Sequence, residues 1–281
     1  MTNNLVGLLH PGEMGASIGA AAQKAGYTVY WASEGRGPAT RARAERIGLR
    51  DAGSLAELCA RCAVIASVCP PGAAEGLARD VLAAGFRGLY MDLNAIAPQR
   101  AVGLAAAMAA AGAEFIDGGL IGGPAWQPGT VLYLAGPAAE RAAACFAGSL
   151  LETMVLGSEV GQASALKMCF SAYSKGTTAL LCAALAAAQG LGVRAALERQ
   201  WDRDGSGFAA QAQARARRAT AKAWRFSGEM DEIAATFQGA GLPGGFHQAA
   251  AEVYQRLAGF KDAPALPALE EVLAALLKEQ T

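Results

Sequence analysis

Residues 5–15, Leu-Val-Gly-Leu-Leu-His-Pro-Gly-Glu-Met-Gly, constrain this chain more than any other stretch. An apolar run short enough for a buried strand stops at His10. Gly12 and Gly15 follow, and then an Ala-rich helix expected over about 13–25. A strand that turns sharply into a helix leaves backbone N–H groups at the helix N-terminus without internal partners. The helix dipole adds about half a positive charge there, so such a turn is built to hold a pyrophosphate. Gly12 brings the backbone close to the phosphates, and Gly15 lets the helix pack against the strand. Pro11, Glu13 and Met14 complete the turn. His10 stands where the first glycine of a G-x-G-x-x-G motif is usual; it either hydrogen-bonds a phosphate or fills the turn.

Composition narrows the class. Apolar residues make up 53% of 281 and charged residues 17%, which predicts a large packed core and argues against disorder. Lys plus Arg equals Asp plus Glu at 24 each, so neither nucleic acid nor another polyanion is an expected partner. A long uncharged run, 176–193, has alanine as its main apolar residue and three glycines, and it predicts a buried helix rather than a membrane span. The first strand starts with no cationic segment before it, and six scattered cysteines suit a reducing compartment; both predict a cytoplasmic protein. Cys59, Cys62 and Cys69 have no fourth ligand nearby, so no metal is expected and buried thiols are the better reading.

The chain has two textures. Short β-type runs (5–9, 28–32, 63–68, 88–92, 114–120, 130–135 and 153–156) alternate with helical stretches at about 13–25, 38–47, 54–60, 72–84 and 98–111. Such alternation predicts an α/β domain with a mostly parallel sheet covered on both faces. After Gly157 the β signal ends. A long helix is expected from about 160 to 189, then helices at about 192–203, 206–226, 229–239, 245–258 and 265–278, broken at Gly or Pro. The expected domains are therefore 1–158, for the dinucleotide, and 159–281, all helical, for substrate and dimerisation.

The second strand ends at Trp31-Ala32-Ser33, followed by Glu34-Gly35-Arg36 and then Arg41 and Arg43. An acidic residue at that place binds a ribose 2′-hydroxyl, whereas Arg or Ser accommodates a 2′-phosphate. Ser33 and Arg36 favour NADP. Glu34 leaves NAD open, and the arginines read equally as a solvated helix face.

Five ordered segments carry a family resemblance. Residues 7–15 are similar to the opening motif of the β-hydroxyacid dehydrogenases, which include 6-phosphogluconate dehydrogenase. Asp92-Leu93-Asn94-Ala95-Ile96-Ala97-Pro98 resembles the family's segment after the fifth strand. Asp117-Gly118-Gly119-Leu120-Ile121-Gly122-Gly123 resembles its substrate loop, and Gly129-Thr130-Val131-Leu132 the start of the next strand. Residues 161–167, Gly-Gln-Ala-Ser-Ala-Leu-Lys, resemble the segment with the catalytic lysine. The resemblance covers about 5–190, and the helical remainder resembles the C-terminal domain of a divergent branch. It implies a Rossmann-type N-terminal domain, a nicotinamide ribose bordered by Cys69 and Pro70, and Asn94 near the nicotinamide and substrate.

The resemblance also implies that Lys167 is the general acid/base and that Ser171, at the family's asparagine position, orients the substrate. Helical spacing sets Ser164, Lys167, Ser171, Ser174, Lys175 and Thr178 on one stripe of an apolar helix, which must face water, a cleft or a partner. Without the resemblance, a lysine snorkelling to solvent is the better reading of Lys167. Gly122 and Gly123 can offer backbone N–H groups to an acidic substrate. Ile121 departs from the family's serine there, and Gly228 and Glu229 stand near the usual second lysine. Arg215, Arg218, Lys222 and Arg225 form a basic stripe whose default reading is a solvated face. His247 reads as a surface or cap residue. The expectation is an NADP-dependent homodimeric oxidoreductase acting on a small hydroxy or keto acid. The rivals are imine reduction on the same scaffold and a non-catalytic NADP-binding sensor.

Overall fold

A computed structural model describes residues 4–278, and the chain divides after Met168 into two compact units. The first holds an eight-stranded sheet: β1 (Leu5–Leu8), β2 (Thr28–Trp31), β3 (Arg50–Asp51), β4 (Val64–Ser67), β5 (Leu89–Asp92), β6 (Glu114–Ile121), β7 (Thr130–Ala135) and β8 (Leu151–Gly157). Their order is β3-β2-β1-β4-β5-β6-β7-β8. Every neighbouring pair is parallel except β6 and β7, which run antiparallel. The order reverses between β1 and β4, and such a switch point opens a crevice at the strands' C-terminal ends.

Helices α1 (Glu13–Lys24), α2 (Pro38–Arg46), α3 (Leu55–Arg61), α4 (Ala74–Ala83), α5 (Pro98–Ala110) and α6 (Ala139–Ala144) belong to the same unit. Alternate strand residues feed two separate cores. Val6, Leu8 and Met91 join Ile18 of α1 on one side, while Ile65 and Tyr90 join Leu58, Ala78 and Leu104 on the other. Each fully buried Leu or Ile contributes about 1.5–3 kcal/mol, so covering both faces is what holds the sheet. Helix α3 starts with a capping box in which Ser54 accepts from the Glu57 amide and Glu57 reaches back to Ser54.

Helix α7 (Gln162–Gly190) crosses the division between the units. The second unit continues with α8 (Arg194–Trp201), α9 (Phe208–Ala219), α10 (Ala223–Gly239), α11 (Gly245–Arg256) and α12 (Leu269–Leu277). The fold is thus a Rossmann-type α/β domain followed by an all-α region.

The structure differs from expectation in several places. The break between the helices expected at 206–226 and 229–239 falls instead at Thr220–Lys222, a 3-10 turn, and Gly228 lies inside α10. Strand β3 and helix α6 have no counterpart among the expected elements, and β8 begins two residues before 153. His247 is buried, with its ring edge-on to Phe237 and Phe246 at 4.3 and 5.2 Å between centroids. It is a core residue, not a surface one.

Candidate functional site

The β1–α1 turn is as tight as its sequence demands. Gly12 caps α1 without a side-chain hydrogen bond, and its own N–H donates to the His10 carbonyl at 2.8 Å. The N–H groups of Glu13, Met14 and Gly15 open the helix, where no preceding turn supplies carbonyls. A Cβ on Gly15 would stand 2.0 Å from the His10 carbonyl oxygen, so only glycine lets the helix start this close to β1. These features fit a dinucleotide pyrophosphate.

At the end of β2, Ser33 is buried and Arg36 half-buried. The Arg36 guanidinium lies 2.6 Å from His10 Nε2, which joins the phosphate turn to the β2–α2 loop. Burial first, and then the Arg36 charge, lower the His10 pKa to about 4, so the ring is neutral near pH 7. Arg41 donates to the carbonyls of Ser33 and Arg36, and Arg43 to that of Pro11. Both arginines are tied to loop backbone, Arg41 from an exposed position and Arg43 from a half-buried one. Burial tends to raise Asp51, but hydrogen bonds from Ser33 and the Gly53 amide outweigh it and hold its pKa below the usual range.

The C-terminal ends of β4 and β5 carry a polar network that the motif comparison does not contain. Asn94 Nδ2 donates to Ser67 Oγ and to Asp92, both at 3.0 Å, and Asn94 Oδ1 accepts from the Cys69 amide at 2.6 Å. Cys69, which is half-buried, and Asn94, which is buried, are thus locked in one loop, with Pro70 exposed beside them. Burial pushes the Asp92 carboxyl up to about 7, against the Asn94 hydrogen bonds that pull it down.

Asp117 lies opposite Asp92 in the β5–β6 register. Its carboxylate accepts from the Gly161 amide at 2.9 Å, the Ser164 amide at 3.0 Å and the Ser164 hydroxyl at 2.5 Å. A carboxylate at that place complements the positive end of α7, and it pins the helix start to β6. Burial raises the Asp117 pKa, and those hydrogen bonds oppose the rise. The sequence signal was available: a carboxylate inside an apolar strand must find donors.

Two residues on, Gly119 sets how closely α7 packs. A Cβ built there would meet the Ala163 carbonyl oxygen at 2.5 Å and the Lys167 Cβ at 3.1 Å. Lys167 therefore rises from α7 directly beside the middle of β6. The loop after β6 leaves Ile121 half-buried and Gly122 and Gly123 exposed. Thr130 Oγ1 donates to the Gly123 carbonyl at 2.7 Å, and the Ala125 amide donates to Ser17 Oγ of α1 at 2.9 Å, which fixes the loop between β7 and α1.

In the helical unit, Ser171 is buried and its Oγ accepts from Lys175 Nζ at 3.1 Å. Lys175 also pairs with Glu229 at 2.7 Å, a buried ion pair that sequence reasoning did not find. Glu229 pairs with Arg225 at 3.1 Å as well. Arg215 donates to Thr178 Oγ1 at 2.6 Å and to the Ser174 carbonyl at 2.7 Å. The expected basic stripe is therefore not one solvated face: Arg215 binds α7, Arg225 is half-buried against Glu229, and Arg218 and Lys222 alone are exposed.

Residues 5–158 match the model described as the NAD binding domain of 6-phosphogluconate dehydrogenase. Residues 188–257 match a domain of unknown function, DUF1932. No curated protein matches the chain. Among solved structures, a conserved protein of unknown function, described as structurally similar to 3-hydroxyacid dehydrogenases, shares 25% identity at a TM-score of 0.66, covering 98% of this chain and 100% of that one. The 3-hydroxyisobutyrate dehydrogenase of Mycobacterium tuberculosis, solved with L-serine, shares 19% identity at a TM-score of 0.69, covering 98% and 99%. An imine reductase variant from Myxococcus stipitatus, in complex with NAD+, shares 20% at a TM-score of 0.55, covering 98% and 99%. The last two likenesses are of fold. Among the described residues, no helix is long and apolar enough to cross a membrane. With more than half its length inside one family model, the chain belongs to the family of the 6-phosphogluconate dehydrogenase NAD-binding domain, a family of NAD(P)-dependent oxidoreductases.

Proposed function

We propose that this chain interconverts a small hydroxy acid and its keto or aldehyde acid, with NADP as the preferred cofactor and Lys167 as general acid/base. The observation that carries the reading is the contact of Gly119 with α7, which sets Lys167 against β6 near the C-terminal ends of β4 and β5. A bound nicotinamide supplies the hydride; Lys167 moves the hydroxyl proton that must travel with it. In reduction the substrate oxygen gains charge, and the ammonium stabilises and then protonates it.

The dinucleotide is held by the turn His10, Pro11, Gly12, Glu13, Met14 and Gly15, by Ser33 and Arg36 at the ribose end, and by Cys69, Pro70 and Asn94 near the nicotinamide. Asn94 is rigid because Asp92 and Ser67 hold its amide. The backbone N–H groups of Gly122 and Gly123 take the substrate carboxylate, with Ile121 beside them supplying apolar contact where a serine would bind charge. Exposed Phe170, Tyr173 and Leu180, at 51%, 77% and 55%, support a homodimer formed through α7.

Imine reduction is the second reading, motivated by the imine reductase fold relative. A cationic lysine at 167 repels an iminium, which ranks it below. A panel of hydroxy, keto and semialdehyde acids beside cyclic imines, followed by NADPH absorbance, tests the order. Oxidation of NADPH is expected with at least one carbonyl acid and with no imine at a higher rate. Faster turnover of imines, or none with any carbonyl acid, contradicts the proposal.

A further inference from the structure

His10 occupies a glycine position of the phosphate turn, and the geometry points to a use for it. We propose that His10 and Arg36 act as one clamp for a phosphate on the adenosine ribose, so that the histidine, not the arginine alone, selects NADP over NAD. This rests on the dinucleotide reading above and deepens it.

A guanidinium has donors and no acceptor, so the 2.6 Å contact makes Nε2 of His10 the acceptor. In a neutral imidazole the proton then sits on Nδ1. Burial and the nearby Arg36 charge, which lower its pKa to about 4, keep the ring in that neutral form. Both His10 Nδ1 and Arg36 Nε are buried without a hydrogen-bond partner. Two linked donors that no protein group satisfies are an unmet demand for an acceptor.

The place specifies the acceptor. The pair bridges the β1–α1 turn and the β2–α2 loop, the corner where a doubly wound domain holds the adenosine ribose. Arg41 and Arg43 lie at the same corner, each tied to loop backbone, and add positive charge. Ser33, the other expected phosphate ligand, is drawn towards Asp51. A dianionic phosphate meets the two free donors with charge-assisted hydrogen bonds, which a ribose hydroxyl does not.

The test is calorimetric titration of the full chain with adenosine 2′,5′-bisphosphate and with adenosine 5′-monophosphate, which reads binding without turnover. Wild type is expected to prefer the bisphosphate by about 10- to 100-fold. His10→Gly restores the usual glycine, yet it is expected to lose about tenfold for the bisphosphate and nothing for the monophosphate. Arg36→Ala is expected to lose as much, and the double variant little more, because the two act together. His10→Gln, which keeps size and an N–H donor, is expected to retain part of the preference. If His10→Gly keeps the full preference, or weakens both ligands equally, the clamp is wrong while the NADP reading stands. If wild type prefers the monophosphate, both fall.

Discussion

Lys167→Ala is expected to lower turnover by about 10²- to 10⁴-fold, the range for loss of a positioned acid/base group, and to leave NADPH affinity unchanged. The split follows from where the residue sits. The residues proposed to hold the cofactor lie at the C-terminal ends of β1, β2, β4 and β5, whereas Lys167 comes from α7, anchored by Asp117 and packed on Gly119. On the proposed roles, removing its amine takes away proton transfer without touching a phosphate ligand. A drop in kcat with kcat/KM falling equally is the signature of a contact made in the transition state alone. Lys167→Arg keeps the charge but cannot give up its proton at neutral pH, so it is expected to fail too. A lysine that merely snorkels would leave all these variants near wild type, and steady-state kinetics with a turned-over carbonyl acid separates the two cases.

Gly119→Ala is expected to lower both stability and turnover. The added carbon meets a backbone carbonyl oxygen at 2.5 Å and the Lys167 Cβ at 3.1 Å. Neither can swing aside, because Ala163 lies in the first turn of α7, beside the Ser164 that Asp117 holds. The helix must lift from β6, at an overpacking cost of about 1–3 kcal/mol. A displacement of about 1 Å at a catalytic group is worth on the order of 100-fold in rate, so turnover falls with stability. Gly103→Ala is the control: it lies within α5 with nothing within 4 Å of its Cβ position. Alanine there is expected to be neutral or to stabilise by up to about 1 kcal/mol. Chemical denaturation and NADPH oxidation, measured side by side on both variants, check the pair.

Much of this architecture was legible in the residues. The strand-to-helix turn at His10–Gly15, the alternation of apolar runs and Ala-rich stretches, and the long uncharged segment within α7 all express periodicities that packing preserves. What escaped has physical reasons. Strand β3 is two exposed residues and leaves no pattern. Gly228 looked like a helix break, but α10 runs through it. A helical glycine costs only about 1 kcal/mol, which the packing of Met230, Ile233 and Ala234 outweighs.

The site was legible as residue types and not as partners. Nothing local in the sequence says that Asp117 reaches across to Gly161 and Ser164, 44 and 47 residues away. Nor does it say that Lys175 will neutralise Glu229, or that His10 meets Arg36 from another loop. The polar stripe on α7 was read as facing water, a cleft or a partner. In the helical unit its members Ser171, Lys175 and Thr178 are instead engaged by side chains of the same helix, α9 and α10. Hydroxyls and charges on an Ala-rich helix can be satisfied by neighbouring helices, and periodicity does not distinguish that outcome from solvent exposure.

The most direct measurement is a crystal structure of the chain with NADPH and a carbonyl acid that it reduces. The account predicts the nicotinamide ring beside Asn94, with the substrate oxygen within about 3 Å of the Lys167 amine, on the side facing the ring's reactive carbon. A ring bound at that position with the Lys167 amine directed away from it, and another group bonded to the substrate oxygen, would contradict the account.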